Sequence, residues 1–282
     1  MQQGTPSSTA AGAAMQRAAH LVIDGEPKVL VDEYAIRFLD DRQRARVTTN
    51  DDVLQAPHVR ASRAHILGRS AFTEEELRGA ITRGCRQYVL LGAGYDSSPA
   101  RLAGALRDVA VFEVDHPDTQ GAKRSKIRHG EWPGNVHFVP VDFERDALDA
   151  QLQQAGWDPL APTFWSWLGV AMYLSDDAVM STLRFVSAGA AGTTIVMNFT
   201  IHDDEVTADD LALRRIGAQG VAQQGEPWIN FYRPAELVER VRALAYSSVE
   251  SVPPEVFRSR YFDHRADGLT WSSLTGTLVA RV

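Results

Sequence analysis

The chain has 282 residues and 44% hydrophobic content, enough for one large packed domain or two small ones. Its formal charge of −7, with 29 Lys and Arg spread along the chain, argues against a nucleic-acid partner, which needs a concentrated basic face. A single cysteine, Cys85, excludes an internal disulfide and a cysteine-based metal cluster, and the eight histidines include no HxxxH or HExxH pair, so no metal site is expected. No apolar run approaches membrane-spanning length, and the N-terminus lacks the charged-then-apolar pattern of a secretory signal. A cytoplasmic protein with no membrane partner is therefore expected.

In chain order, residues 1–12 (MQQGTPSSTAAG) are small and polar and are read as disordered. From about Ala13 to Leu67 apolar residues recur at helical spacing, as in Tyr34, Ile36, Phe38 and Leu39, with breaks at Pro27, Pro57 and the polar stretch Thr48 to Asp52. Several short helices are expected there. Thr73-Glu74-Glu75-Glu76 has the form of a capping box and predicts a helix beginning at that point and running to about Arg83.

The most informative stretch follows. Tyr88-Val89-Leu90-Leu91 is apolar without alternation, as a parallel strand covered on both faces requires. Gly92-Ala93-Gly94 comes at once, and glycines there allow a sharp exit from the sheet and close approach of backbone to a ligand. A helix from about Ser98 to Leu106 and a strand from Val109 to Val114, carrying Glu113, lead to Asp115. That carboxylate lies 23 residues past Gly92, a spacing suited to accepting ribose hydroxyls. A dinucleotide loop would place a third glycine where this chain has Ser97, and Asp96 would repel a diphosphate while favouring a cationic group.

Beyond Asp115 the pattern gives a helix at Thr119 to Arg128, strands at Val136 to Val141, Phe164 to Leu168 and Thr194 to Phe199, and a helix at Asp176 to Ser187. Alternation of this kind predicts an α/β, doubly wound, mostly parallel sheet with ligands beyond the carboxyl ends of its strands. The segment Ile201 to Tyr232 reads as helical and charged, Pro234 to Ala243 as a helix returning to the sheet, and Leu274 to Val282 as a final antiparallel strand. The layout is a single domain: an N-terminal helical lid over 13–82, a sheet core over 83–200 and 233–282, and a helical insertion over 201–232.

Taken together, GRSAF with Arg69, LLGAGYDS with Gly92 and Gly94, FEVDHP with Asp115, VPVDFE with Asp142 and Phe143, and WLGVAMYL with Tyr173 resemble the leucine carboxyl methyltransferase-like family of S-adenosylmethionine-dependent methyltransferases, in its bacterial O-methyltransferase branch. The resemblance covers nearly the whole chain. It implies a seven-stranded class I methyltransferase (Rossmann-like) sheet with a helical lid, and S-adenosylmethionine as cofactor. It further implies that Arg69 holds the methionyl carboxylate, Asp115 the ribose, and Asp142-Phe143 the adenine. Without it, Arg69 reads as a surface arginine and Asp142 as a loop-start residue. Members that methylate a protein C-terminus read EGVLMYL where this chain reads LGVAMYL, so Leu168 stands in place of a glutamate beside the cofactor. That departure favours a small-molecule acceptor, such as a natural product, with methyl going to a carboxylate or hydroxyl.

A carboxylate acceptor needs no general base, whereas a hydroxyl is helped by one. Tyr173, His202 and His116 are the candidates near the rim. Tyr173 could equally be packing and His202 a loop residue. Trp157, Trp165, Trp167, Trp228, Phe231 and Tyr232 could line an apolar acceptor pocket or fill the core. Two other readings stand beside this one. One is a nicotinamide-dependent oxidoreductase, disfavoured by Ser97 and by the lack of a Tyr-x-x-x-Lys pair; the other is a non-catalytic protein of the same fold. Nothing in the residues specifies an oligomer.

Overall fold

A computed structural model describes residues 6–142, 145–223 and 225–282. Its helices are α1 (Ser8–Ile23), α2 (Asp41–Thr48), α3 (Pro57–Thr82), α4 (Ser98–Arg101), α5 (Pro117–Lys126), α6 (Leu148–Gln154), α7 (Asp176–Ser187), α8 (Ala208–Gln223), α9 (Pro234–Arg242) and α10 (Pro254–Phe257). The strands are β1 (Gln87–Leu91), β2 (Ala110–Asp115), β3 (Val136–Pro140), β4 (Thr163–Trp167), β5 (Thr194–Thr200), β6 (Ser248–Ser251) and β7 (Thr275–Arg281).

They form one sheet of order β3-β2-β1-β4-β5-β7-β6, parallel throughout except that β7 runs antiparallel to β5 and β6. The apolar runs explain the arrangement: β1, β4 and β5 are buried along their whole length, so both faces must be covered. Val89 and Leu91 pack with Phe112, Val114, Trp165 and Trp167 on one face. Tyr88 and Leu90 pack with Leu67, Phe72 and Leu77 of α3 on the other. The strand order reverses between β1 and β4, which opens a crevice beyond their carboxyl ends.

Four sequence expectations are corrected. α1 begins at Ser8, capped by the Ser7 hydroxyl accepting from Ala10 N at 3.1 Å, so residues 8–12 are helical; the alanines favour that state once a core receives them. No helix starts at Thr73, because α3 is unbroken from Pro57 and the Thr73 hydroxyl donates to the Arg69 carbonyl one turn back. α3 also belongs to the core rather than to a lid. The helix after the glycine turn is only Ser98–Arg101. The sheet has the seven strands that the resemblance implies: the one not located in the sequence, Ser248–Ser251, forms the edge and leaves β7 inside, where Gly276 makes room for the Phe199 ring on β5.

What does cover the glycine turn is α1 with the 3-10 turn Ala35–Phe38: Ala14, Ala18, Phe38 and Leu39 cluster on Tyr95, and the Phe38 and Tyr95 rings stack at 5.2 Å.

Candidate functional site

A cavity of about 910 Å³ lies beyond the carboxyl ends of the central strands, at the upper end of the range for small-molecule sites. Arg69, Gly92, Ala93, Gly94, Asp115, Asp142, Leu168 and Tyr173 all line it. Phe143 lies outside the described residues.

The glycine turn is built for close approach. Gly92 has φ +67°, and a Cβ there would stand 2.3 Å from Val170 Cγ2 of the loop after β4. Gly94, at φ +49°, lies under Ala10 of α1 and donates its N–H to Asp115 Oδ2, while His116 N donates to Oδ1 at 2.7 Å. Burial raises the Asp115 carboxyl above the ordinary aspartate range, and those two backbone donors oppose the rise. Asp96 goes the other way: burial would raise it, but Arg17, Arg101 and Lys123 hold it below the usual range.

Arg69 is buried, not the surface arginine its sequence context alone allows. One Nη donates to Asn198 Oδ1 at 2.9 Å, Nε has no partner, and no carboxylate of the described residues lies within ion-pair distance. Burial pushes its pKa down to about 10, which still leaves it charged at neutral pH. Gly169, at φ +73°, lets the guanidinium lie against the backbone after β4, since a Cβ there would come within 2.6 Å of it. The Tyr173 hydroxyl accepts from Trp228 Nε1 at 3.1 Å, and burial raises its pKa, so it stays a phenol. Asp142 faces Arg145 at 3.6 Å.

Two groups of candidates separate. His116 lines the cavity, but His202 does not: it caps the short turn Asp203–Glu205, its Nδ1 accepting from Asp204 N at 3.4 Å. Of the six aromatic residues considered for an acceptor pocket, only Trp228 lines the cavity. Trp157 and Trp165 instead pack against each other and Phe185 in the core.

Sequence reading also missed three features. His65, 4% exposed, lines the cavity one turn before Arg69. Asp32, 1% exposed, joins the Arg17 guanidinium at 2.7 Å and the Ser97 hydroxyl at 2.6 Å, and Arg17 also donates to the Tyr95 carbonyl. Glu226 accepts from Thr9 N at 3.1 Å at the start of α1. The 3- and 4-residue spacing of His58, Ser62, His65 and Arg69 was a readable signal for His65; the other two arise from contacts distant in sequence. Among the described residues no group of three or more His, Cys, Asp or Glu side chains is placed to hold a metal.

The sheet order and the crevice define an α/β methyltransferase fold. The chain superposes on a Thermobifida fusca protein described as a "putative methyltransferase" with a TM-score of 0.61 and 18% identity, covering 99% of this chain and 96% of that one. It superposes on a DUF574 family protein from Streptomyces avermitilis with a TM-score of 0.55 and 16% identity, covering 94% and 96%. At those identities the likeness is one of fold.

The leucine carboxyl methyltransferase family matches residues 10–187. A Bacillus subtilis protein named "Putative S-adenosyl-L-methionine-dependent methyltransferase YktD" is 29% identical over 209 residues, 72% of this chain and 68% of that protein. A relative bearing the same name without the final word, from Mycolicibacterium paratuberculosis, is 34% identical over 203 residues, 67% of this chain and 63% of its own length. The chain belongs to the leucine carboxyl methyltransferase family, within the class I S-adenosylmethionine-dependent methyltransferases.

Proposed function

We propose that this methyltransferase is an O-methyltransferase, moving methyl from S-adenosylmethionine to an oxygen of a small molecule bound in the same cavity. The observation that carries the reading is Arg69: a buried guanidinium on the cavity wall, with an unpartnered Nε and, among the described residues, no carboxylate within ion-pair distance. Such a cation is costly unless an anion completes it, and the methionyl carboxylate is an anion of suitable size. At the other end stand Asp115 for the ribose and Asp142, with Phe143 next in sequence, for the adenine. The Gly92-Ala93-Gly94 backbone and Leu168 would lie alongside.

When bound, S-adenosylmethionine supplies an electrophilic methyl group, and the in-line displacement needs alignment and exclusion of water. Tyr173, kept protonated by burial, is suited to positioning by hydrogen bond rather than to accepting a proton. α1 lies over Gly94 and would help to keep water from the turn.

Calorimetric titration with S-adenosylhomocysteine and, separately, with NADH tests the reading. S-adenosylhomocysteine is expected to bind and NADH not. Arg69→Ala is expected to weaken binding by about 1.5 to 3 kcal/mol, roughly ten- to a hundredfold. Tight binding that survives Asp115→Ala unchanged would count against the site.

A further inference from the structure

Past Arg69 the cavity continues between α3 and α8, and its walls change character. On α3 the stripe His58, Ser62 and His65 leads up to Arg69, while on α8 Leu213, Gly217 and Val221 follow at spacings of four, with Trp228 beside them. The described arginines of the lining, Arg69 apart, are already matched. Arg17 pairs with Asp32 at 2.7 Å, Arg214 pairs with Asp203, and Arg145 faces Asp142 at 3.6 Å. No lysine is among the described lining residues, and Glu226 adds a carboxylate.

His65 sits between two hydroxyls, Nε2 2.6 Å from Ser272 Oγ and Nδ1 2.9 Å from Thr275 Oγ1, with the Trp271 ring 4.3 Å away. Burial, reinforced by the Arg69 charge, pushes its pKa down to about 3, so it is a neutral group on this wall.

We infer that the α3–α8 end of the cavity is the acceptor subsite and that it takes an apolar molecule bearing an uncharged hydroxyl, not a carboxylate. The inference rests on Arg69 being used by the cofactor's carboxylate. A carboxylate acceptor would then be stripped of water in a compartment that offers, among its described lining residues, no unmatched arginine or lysine and has an acid at its edge. A hydroxyl asks only for one or two neutral partners, which Thr275 and Ser62 provide, with His65 orienting the Thr275 hydroxyl. The cavity is also large enough to hold a second molecule beside a nucleoside cofactor.

The test begins with protein saturated with S-adenosylhomocysteine, at about pH 8.5, above the ordinary imidazole range. Matched pairs of one, two and three rings are then titrated by calorimetry: phenol, naphthol and anthracenol against benzoate, naphthoate and anthracene carboxylate. At least one phenol is expected to bind about tenfold or more tighter than its paired acid. Thr275→Val is expected to weaken that binding by about tenfold, the scale of one hydrogen bond, with S-adenosylhomocysteine affinity kept. Acids binding as well as phenols, no phenol binding at all, or a Thr275→Val protein with unchanged phenol affinity would each overturn the assignment. Failure to bind S-adenosylhomocysteine in the first step removes the cofactor reading and this one with it, and is recognised before any acceptor is added.

Discussion

Ser97 stands where a dinucleotide loop carries its third glycine, and its hydroxyl explains why glycine would not serve. It donates to the buried Asp32 at 2.6 Å and accepts from Arg101 Nε at 2.9 Å. Ser97→Gly is expected to cost about 1 to 3 kcal/mol, since a buried carboxylate loses a donor, and to bring no NADH binding; thermal melts and a titration check both. Burial raises Asp115 above the ordinary aspartate value, so the ionised form that accepts ribose hydroxyls is lost as pH falls through that raised value. S-adenosylhomocysteine affinity is therefore expected to weaken at a pH where a solvated aspartate would still be charged. Asp115→Asn should flatten that profile in calorimetry run across pH. Gly92, Gly94 and Asp115 were legible because strand, turn and acid follow one another within one local unit. The Asp32 network was not, because Asp32 and Ser97 are 65 residues apart and nothing local to the glycine-turn motif that ends at Ser97 points to Asp32. His202 was misplaced for a related reason: a residue just past a strand end was read as facing the rim, but a turn diverts its ring to cap Asp204.

At the scale of elements, six of the seven strands and the mostly parallel character of the sheet were the legible part, since an apolar run without alternation leaves few options other than a covered parallel strand. Helix boundaries inside α3 were not. The three glutamates that imitate a capping box each answer a different element: Glu74 meets Arg101, Glu75 meets Arg260, and Glu76 meets Arg281 of β7. A local signal was produced by tertiary demand. Glycines within helices separate in the same way. Gly68 of α3 has Trp271 where a Cβ would come within 2.6 Å, whereas Gly121 of α5 has nothing within 4 Å. Gly68→Ala should destabilise the fold by about 1 to 3 kcal/mol through overpacking, despite better helix propensity. Gly121→Ala should raise stability by about 0.5 to 1 kcal/mol, so denaturant titrations of the two variants should move in opposite directions.

Across the whole molecule, α1 is tied at both ends to distant parts of the chain. Its start is held by Glu226, and Gly25, just past its end, by Asp267, which also receives Leu269 N and pairs with Arg265. Burial would raise the Asp267 carboxyl, but Arg265 and the two backbone donors overcome it and hold it at about 2. For a depressed carboxyl, the stabilisation is complete above the unfolded value near 4 and is lost as pH falls toward the folded one. Asp267→Asn is thus expected to melt earlier than the parent at neutral pH and to converge with it near pH 2. The same tie has a consequence in time. Thr9 and Glu226 are 217 residues apart, so in a chain made from N- to C-terminus α1 emerges long before its latch exists. Closing so long a loop is expected to come late in folding, after the pairing of β1, β2 and β4. The amides of α1 should accordingly exchange with solvent deuterium faster than those of β1, making the segment that shelters the glycine turn the last to settle and the first to let go.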